Sequence, residues 1–363
     1  MAGRPEDSIS SVLLLGLAAT LGLTFALDVR RLDAATAPTP LVQSVRARST
    51  VAYQGEQIVV TWEGTTHTVA SLVQVEHDPP DWTQLDYLAL GPSRRFTVIR
   101  RPGSEIRFDP QRRTGITTTG LNSEEDIFES AHLPWLLENY GITMVPDELL
   151  GRRATRIVLV PEIADRPSRT LVVDDVTGVL LRSERVGPKG SLGEVTTFLR
   201  FEVKPAGWRK TASVPTGLRL TPQLAVRAAT AEEVARVLGG PPVQVAVPEG
   251  FHKTGDYLTG EGPPVVQIYS DGLTTLVVYQ RRDSVARPPE GSELVATSSG
   301  PIWVQRLGLR TLVHWSLAGK NVTVVGYATR TSLQAAAERT GITAAPRLWD
   351  RLVTWLREVM DWF

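Results

Sequence analysis

The sequence predicts an α+β protein with two domains, each dominated by antiparallel β-hairpins. A chain of 363 residues with 42% hydrophobic and 21% charged residues has the length and composition of a globular protein with two cores. Short β-rich runs bounded by Gly, Pro or Asp recur along most of it, as hairpins require. Strands and long helices do not alternate regularly, which argues against a doubly wound nucleotide-binding fold.

The first predicted domain, residues 38–204, begins with a short helix that carries Leu41 and Val45 on one face. Hairpins follow, because β-rich runs flank Gly64, Pro102-Gly103 and residues 175–178. "GEVTTFLRFEV" is a further strand. The stretch Glu124–Gly141 is predicted as a helix that Pro134 interrupts.

A linker, residues 205–222, separates this domain from a second one, residues 223–342. The linker is predicted because it lacks periodicity and is rich in Pro and Gly. In the second domain Thr230 is a suitable N-cap, and Gly239 is a plausible end of the same helix. "VQVAVP" and "IWVQRL" are predicted strands, residues 319–321 a turn, and "SLQAAAERTG" a helix that ends at Gly341.

The run "VVQIYSDGLTTLVVYQ", residues 265–280, is predicted to be a hairpin with a two-residue loop at Asp271-Gly272. That register places Ser270 opposite Leu273, and Ile268 opposite Thr275. Both faces of the hairpin are largely apolar, so cover on both sides is expected. Asp271 is interpreted as a turn residue with no catalytic partner nearby.

An apolar run lies near the start of the sequence, and an amphipathic pattern lies near its end. "VLLLGLAATLGLTFAL", residues 12–27, carries no charge. It is either a cleaved signal peptide or a retained membrane anchor within residues 1–37, or else a buried helix. Export places the protein in the periplasm or at the outer face of the cytoplasmic membrane. Residues 343–363 are predicted as an amphipathic helix whose apolar stripe comprises Leu348, Leu352, Trp355, Leu356, Val359 and Trp362.

Motifs for chemistry are missing from the sequence. Lys+Arg and Asp+Glu both number 39, so the net charge of zero argues against nucleic-acid binding. The absence of Cys excludes thiol nucleophiles and Cys-based metal sites. No nucleophile elbow, Walker loop or dinucleotide fingerprint occurs, and the five His residues lack metal-ligand spacing. We therefore predict a protein that is not an enzyme and has no cofactor.

Three stretches resemble one family. Gly151–Val203 carries G-R-x-x-x-R-I, followed by D-x-x-T-G-x-x-x-R-S-E. "VPEGFHKTGDY" is followed by "QIYSDGLTTLVVY", and "VTVVGYATRTSLQAAAERT" comes near the end. These stretches, in this order, resemble the RseB/MucB envelope regulators of extracytoplasmic-function sigma factors. The D-x-x-T-G segment is shared with the LolA-like lipoprotein carriers.

The resemblance implies a LolA-like antiparallel half-barrel wrapped around helices, followed by a smaller antiparallel α+β domain. It also implies binding to the extracytoplasmic part of a membrane-spanning anti-sigma factor and control of its proteolysis, with a lipid or acyl chain as a second ligand. The candidate residues of an apolar cleft are Trp62, Val73, Trp82, Phe96, Trp135 and Leu136. The candidate partner-binding residues are Tyr269, Asp271 and Trp303.

The alternative function is that of a LolA-like carrier for lipids or lipoproteins of the envelope. A carrier of this kind has no obvious use for the second domain, which favours the regulatory function. The C-terminal helix extends beyond the part that resembles the family. It is expected to dock on the domain, seal the cleft or meet the membrane surface. Its mixed charges favour docking.

Overall fold

The computed structural model describes residues 39–63, 67–79, 82–89, 95–119, 132–190, 192–205, 208, 214–260, 262–282 and 291–341. The predicted N-terminal apolar run and the predicted C-terminal helix lie outside these residues. Four α-helices occur within the described ranges: α1 Thr39–Thr50, α2 Leu133–Asn139, α3 Ala231–Leu238 and α4 Arg330–Thr340. None of these helices has the length and apolar character needed to span a membrane.

The first domain is an antiparallel half-barrel of eleven strands. Their order across the sheet is β7-β8-β9-β10-β11-β1-β2-β3-β4-β5-β6. The strands are β1 Tyr53–Glu63, β2 His67–Asp78, β3 Trp82–Ala89, β4 Phe96–Arg101, β5 Ser104–Asp109, β6 Thr114–Thr119, β7 Tyr140–Leu149, β8 Arg152–Pro161, β9 Ser168–Asp174, β10 Leu180–Val186 and β11 Leu192–Val203. Leu41 of α1 and Leu136 of α2 pack against β7, β8 and β9, so the helices fill the concave face.

The second domain is a smaller antiparallel sheet with the order β13-β14-β15-β19-β18-β17-β16. Its strands are β13 His252–Thr259, β14 Gly262–Ser270, β15 Thr275–Arg281, β16 Glu293–Thr297, β17 Gly300–Leu307, β18 Arg310–Leu317 and β19 Lys320–Gly326. β12 Arg219–Ala228 joins the two sheets, since it pairs parallel to β6 and antiparallel to β13. The last four residues of the predicted linker, 219–222, therefore belong to a strand.

The fold class and most of the local elements agree with the sequence. Glu63 lies opposite His67, and Arg101 lies opposite Ser104, so both predicted hairpins form. Thr230 caps α3 through its side chain, which accepts a bond from the Glu233 N–H, and Gly239 ends the helix in the left-handed conformation at φ 65°.

Four local predictions are wrong. The helix predicted for Glu124–Gly141 is confined, in the described part, to Leu133–Asn139, and Tyr140 already begins β7. Pro134 lies in the first turn, where its missing N–H costs nothing. The turn after β18 is Ala318-Gly319, so Lys320 and Asn321 belong to β19.

"VQVAVP" does not form a strand. The N–H of Val243 donates to the Gln280 Oε1 atom, and the Gln280 amide donates back to the Val243 carbonyl. A side chain thus provides the pairing that a neighbouring strand would otherwise supply. Val243 and Val245 still pack into the core of the small domain.

The loop between β14 and β15 is also longer than predicted. Ser270 pairs with Thr275 and Ile268 with Val277, which leaves the four residues 271–274 in the loop. The reason is the Asp271 carboxylate, whose Oδ1 atom accepts the N–H bonds of Leu273 and Thr274 at 2.8 and 2.6 Å. This side-chain bonding closes a wider loop than a type I′ turn would.

Candidate functional site

The six residues of the predicted apolar cleft do not converge on one site. Leu136 is buried in the cluster between α1, α2 and β7–β9, whereas Val73 and Phe96 belong to a second cluster on β2–β4. Trp82 lies on the opposite face of the sheet, with Ile99 and Phe108, under the linker residues Val214 and Leu218.

Trp62 and Trp135, the two remaining residues of the predicted cleft, lie on different elements. Trp62 is in β1 opposite Thr68, and Trp135 is in α2 at the domain boundary. The ring of Trp135 stacks between His132 at 5.0 Å and His252 of the small domain at 4.9 Å. Trp135 therefore contributes to contact between the domains.

Two of the three predicted partner-binding residues are buried. Tyr269 is 6% exposed in the core of the small domain, and Asp271 is 0% exposed. Both side chains are thus shielded from water in this conformation, and their role in partner binding stays a prediction. Trp303 in β17 keeps part of its surface, and its role stays a prediction.

Asp271 is the centre of the interface between the domains. Its Oδ2 atom accepts bonds from the Tyr140 hydroxyl at 2.8 Å, from Arg166 Nη1 at 3.1 Å and from the Thr274 hydroxyl at 2.9 Å. Tyr140 and Arg166 belong to the half-barrel. The loop 271–274 of the small domain is therefore inserted into the half-barrel. Leu273 at its tip packs in the same cluster as Leu136.

Arg166 and Asn139 complete this set of contacts, which we name the interdomain clamp: Asn139, Tyr140, Arg166, Glu249, Gly250 and Asp271. Arg166 donates from Nη2 to the Glu249 carbonyl at 2.6 Å, and its guanidinium lies 4.7 Å from the centre of the Phe251 ring. The Asn139 amide donates to the carbonyls of Gly250 at 3.0 Å and Asp271 at 3.1 Å. Arg166 and Asn139 of the half-barrel thus both donate hydrogen bonds to backbone carbonyls of the small domain.

A second group of contacts joins the domains beside the clamp. The Tyr327 hydroxyl of the small domain accepts bonds from Arg185 of the half-barrel at 2.6 Å and from Arg310 at 3.1 Å. The Arg185 guanidinium also lies 4.2 Å from the centre of the Tyr327 ring. Together with the clamp, these contacts hold the two domains in one relative position.

The electrostatics of the clamp are those of a structural ion pair. Burial, followed by the adjacent Asp271 carboxylate, raises the pKa of the Tyr140 phenol well above its usual value. Burial alone would lower the pKa of Arg166, but the bond and charge of Asp165 and the charge of Asp271 raise it overall. Tyr140 therefore stays protonated and Arg166 charged at neutral pH.

The clamp leaves little capacity for catalysis. The Asp271 carboxylate accepts five hydrogen bonds, so its lone pairs are occupied by protein donors. A general base needs access to a substrate proton, and this group is fully buried. Within the described residues, no group of His, Asp and Glu is arranged to hold a metal ion. The contacts of the interdomain clamp instead join the half-barrel to the small domain.

Sequence reasoning missed Asn139, Tyr140 and Arg166. Their partners lie 83 to 132 residues away along the chain, so no local pattern connects them. The only sequence signal is the isolated Asp271-Gly272 between apolar runs, and it also fits an ordinary hairpin turn.

The fold and the clamp together define a two-domain α+β protein in which a half-barrel holds a small β-sheet domain. The sequence matches no family model and no curated protein. Among solved structures, the MucA/MucB complex of Pseudomonas aeruginosa matches with a TM-score of 0.54 at 18% identity, covering 85% of this chain and 98% of the matched chain.

A structure of MucB in complex with MucA(peri) matches with a TM-score of 0.52 at 19% identity, and covers 85% of this chain and 98% of the matched chain. At sequence identities this low, the structural similarity establishes a shared fold. The likeness extends across both domains of this chain, and it confirms at the level of the fold the resemblance seen in the sequence.

Proposed function

We propose that this chain is an envelope regulator that binds the extracytoplasmic part of a membrane-spanning anti-sigma factor and modulates its proteolysis. The observation that supports this proposal most directly is the structural similarity to MucB in complex with MucA. The similarity covers 98% of the matched chain. The sequence resemblance in "VPEGFHKTGDY" and "QIYSDGLTTLVVY" supports the same function independently of the coordinates.

The geometry of the interface suits a binding protein. A partner that contacts both domains loses less free energy on binding when the domains are already fixed relative to each other. The clamp provides this fixed relation through the Asp271–Arg166 and Asp271–Tyr140 bonds. In this proposal the protein acts in the periplasm or at the outer face of the cytoplasmic membrane.

A carrier of lipids or lipoproteins is the weaker alternative. A carrier needs an open apolar cleft, but the concave face near α1 and α2 is filled by Leu41, Leu136 and Leu273, all of which are buried. Lipid remains a proposed second ligand that would shift the affinity for the anti-sigma factor by linkage. Mass spectrometry of lipid that copurifies with the full chain tests this part separately.

The main test is isothermal titration calorimetry of the full chain with the extracytoplasmic domain of the anti-sigma factor encoded beside it. We expect a dissociation constant of about 10 μM or tighter, equivalent to roughly −7 kcal/mol. The extracytoplasmic domain of an unrelated anti-sigma factor is the matched control. Failure to bind at several times that concentration, with the chain folded, would contradict the proposal.

A protection assay tests the regulatory part. The anti-sigma factor is incubated with the protease that makes the first extracytoplasmic cut, with and without the full chain. We expect cleavage to slow in proportion to the bound fraction. Binding without any change in the cleavage rate would leave a binding protein that does not regulate proteolysis.

A further inference from the structure

A segment of the small domain between α3 and β13 is extended but belongs to neither sheet. It comprises residues 241–250, "PPVQVAVPEG", and we name it the strap. Val243 and Val245 pack into the core of the small domain, and the exposed Gln244 between them points to solvent. This alternation is the one that a β-strand has. The strap therefore covers the core as a strand would, although strand pairing does not hold it there.

Side chains bond the strap to the rest of the small domain. The Gln280 amide of β15 exchanges two bonds with the backbone of Val243, each at 2.8 Å. Farther along, the Ala246 N–H donates to the Thr340 hydroxyl at 2.8 Å, and Arg339 donates to the Ala246 carbonyl at 3.1 Å. Thr340 and Arg339 belong to the last turn of α4. Three side chains from β15 and α4 thus hold two residues of the strap in place.

The end of the strap carries two backbone carbonyls of the interdomain clamp. The Glu249 carbonyl accepts a bond from Arg166 at 2.6 Å, and the Gly250 carbonyl accepts one from Asn139 at 3.0 Å. Gly250 has φ 80°, and an added Cβ would collide with the Asn139 side chain. The strap therefore meets the half-barrel through close backbone contact, with no room for a side chain at Gly250.

The strap also helps to shield the clamp from water. Arg166 is 2% exposed, and the ring of Phe251, directly after the strap, lies 4.7 Å from its guanidinium. The attraction between two charges is much weaker in water than in a buried site. Movement of the strap away from the half-barrel would expose Arg166 to water and weaken its bond to Asp271.

Helix α4 contacts the clamp from its other end. The N–H of Thr329, the N-cap residue, donates to the Asp165 carbonyl at 2.8 Å, and the Asp165 carboxylate accepts a bond from Arg166 at 2.8 Å. The contacts therefore form a closed ring. It runs from the start of α4 through Asp165 and Arg166 to the strap, and along the strap back to the end of α4.

The strap is the part of this ring that opens most easily. It is bonded to the small domain through side chains, whereas β15, β18 and β19 each pair with two neighbouring strands. Segments with few backbone bonds to their surroundings open locally at a lower free energy than the central strands of a sheet.

We propose that the strap is a latch between the two domains. When it leaves α4, the clamp loses two backbone acceptors, those of Glu249 and Gly250, and water reaches Arg166. The small domain then moves away from the half-barrel with its sheet intact. The contact between the strap and the last turn of α4 thus controls the interdomain clamp. The inference does not depend on the anti-sigma factor, so its tests succeed or fail independently of the proposed function.

The sequence of α4 offers a matched pair of variants, because Arg-Thr occurs at both ends of the helix. The strap variant combines Arg339→Ala with Thr340→Val, and it removes both bonds of α4 to Ala246. The control combines Arg330→Ala with Thr331→Val at the far end of α4, where the ion pair of Arg330 is exposed. Both variants make the same chemical change in the same helix, so a difference between them reports on the strap.

Hydrogen exchange of the full chain measures the latch. In the strap variant we expect the amides of residues 243–247 and of the loop 271–274 to exchange at least about tenfold faster than in the wild type. The reason is that the loss of two hydrogen bonds makes local opening easier. Strands β15, β18 and β19 should keep their exchange rates, and the control should match the wild type. Acceleration in the strap alone, in all of these strands, in neither segment, or equally in the control would overturn the proposal.

A distance measurement between spin labels tests the movement of the domains. The chain contains no Cys, so Val176→Cys in the half-barrel and Leu294→Cys in the small domain provide two specific label sites, 83% and 53% exposed in the wild type. Tyr140→Phe removes one bond to Asp271 and is added to both variants to raise the open fraction. We expect a second, longer distance in the strap variant and a single distance in the control. Identical distance distributions in the two would contradict the latch.

Discussion

The carboxylate of Asp271 forms two kinds of contact at once. Oδ1 accepts the N–H groups that close the loop 271–274, and Oδ2 accepts the donors of Tyr140 and Arg166 across the interface. Burial makes this arrangement sensitive, because a buried charge that loses its partner retains the full cost of desolvation. The same side chain therefore shapes a hairpin and joins two domains.

The substitution Asp271→Asn should destabilise the protein strongly. The amide keeps one acceptor but turns an NH₂ group or a neutral oxygen toward Arg166, whose buried charge loses a partner. The expected loss is about 3 kcal/mol, measured by urea unfolding. Asp175→Asn is the control, because Asp175 accepts an exposed bond from Thr155 and should cost less than about 1 kcal/mol. Equal losses would contradict the role of the clamp.

Buried His314 should make stability depend on pH. Its folded-state pKa is lowered by burial, so the unfolded chain binds the proton more readily. Stability is then lost as the pH falls below about 6.5, with a slope of up to about 1.4 kcal/mol per pH unit.

We expect His314→Gln to reduce that slope between pH 6.5 and pH 5. Thr323→Val is the control. It removes the hydroxyl that is hydrogen-bonded to the His314 Nδ1 atom, but it neither adds nor removes a titratable group. It should lower stability without removing the slope. Identical pH profiles for the wild type and His314→Gln, measured by chemical denaturation, would exclude this residue as the cause.

At the scale of elements, local signals decide the ends of helices and the turns. The α3 helix begins at a capping box, in which Thr230 accepts from the Glu233 N–H and Glu233 accepts from the Thr230 N–H. Bonds to Arg227 and to the Thr230 backbone lower the pKa of Glu233 to about 2. The Thr230 cap depends on residues only a few positions apart, so the sequence pattern alone predicts it.

Loss of this cap should be measurable. Thr230→Ala removes the side-chain acceptor at the helix start, and we expect a loss of about 1 kcal/mol in thermal or urea unfolding. Glu232→Gln is the control, since it removes a charge of the first turn but no cap bond. A loss in the control as large as in Thr230→Ala would mean that charge, and not capping, stabilises α3.

At the scale of the whole molecule, the relation between the domains depends on close packing of the loop 271–274 against α2. Gly272 has φ 94°, and a Cβ there would lie 2.2 Å from the Leu136 nitrogen and 2.6 Å from its Cα. These atoms belong to a helix backbone that cannot move aside without shifting α2. Only glycine fits at this position.

Gly272→Ala should therefore separate the domains, fully or in part. We expect a larger radius of gyration in small-angle X-ray scattering and faster proteolysis between residues 205 and 218. Gly319→Ala is the matched control, because Gly319 also has a positive φ of 74° but no atom within 4 Å of an added Cβ. Both variants carry backbone strain, so a difference between them isolates the clash. Indistinguishable scattering curves would mean that the loop does not hold the domains together.

The sequence predicts some elements completely and others only in part. Hairpins at Gly64 and at Pro102-Gly103 follow from turn chemistry, and the register across them needs no distant contact. The loop at Asp271 could not be predicted this way, because its width depends on a carboxylate that also bonds to Tyr140 and Arg166. Likewise, Val73 and Trp82 are both apolar, but only the pairing of β2 with β3 shows that they lie on opposite faces.

The sequence by itself determined the α+β class, the antiparallel hairpins, the capped helix α3 and the resemblance to the RseB/MucB regulators. These properties depend on periodicity, turn residues and capping, which act over a few residues. Only the tertiary structure decided that Asp271, Arg166, Tyr140 and Asn139 form one interdomain clamp. The physical reason is that burial and pairing across more than a hundred residues assign each side chain its partner.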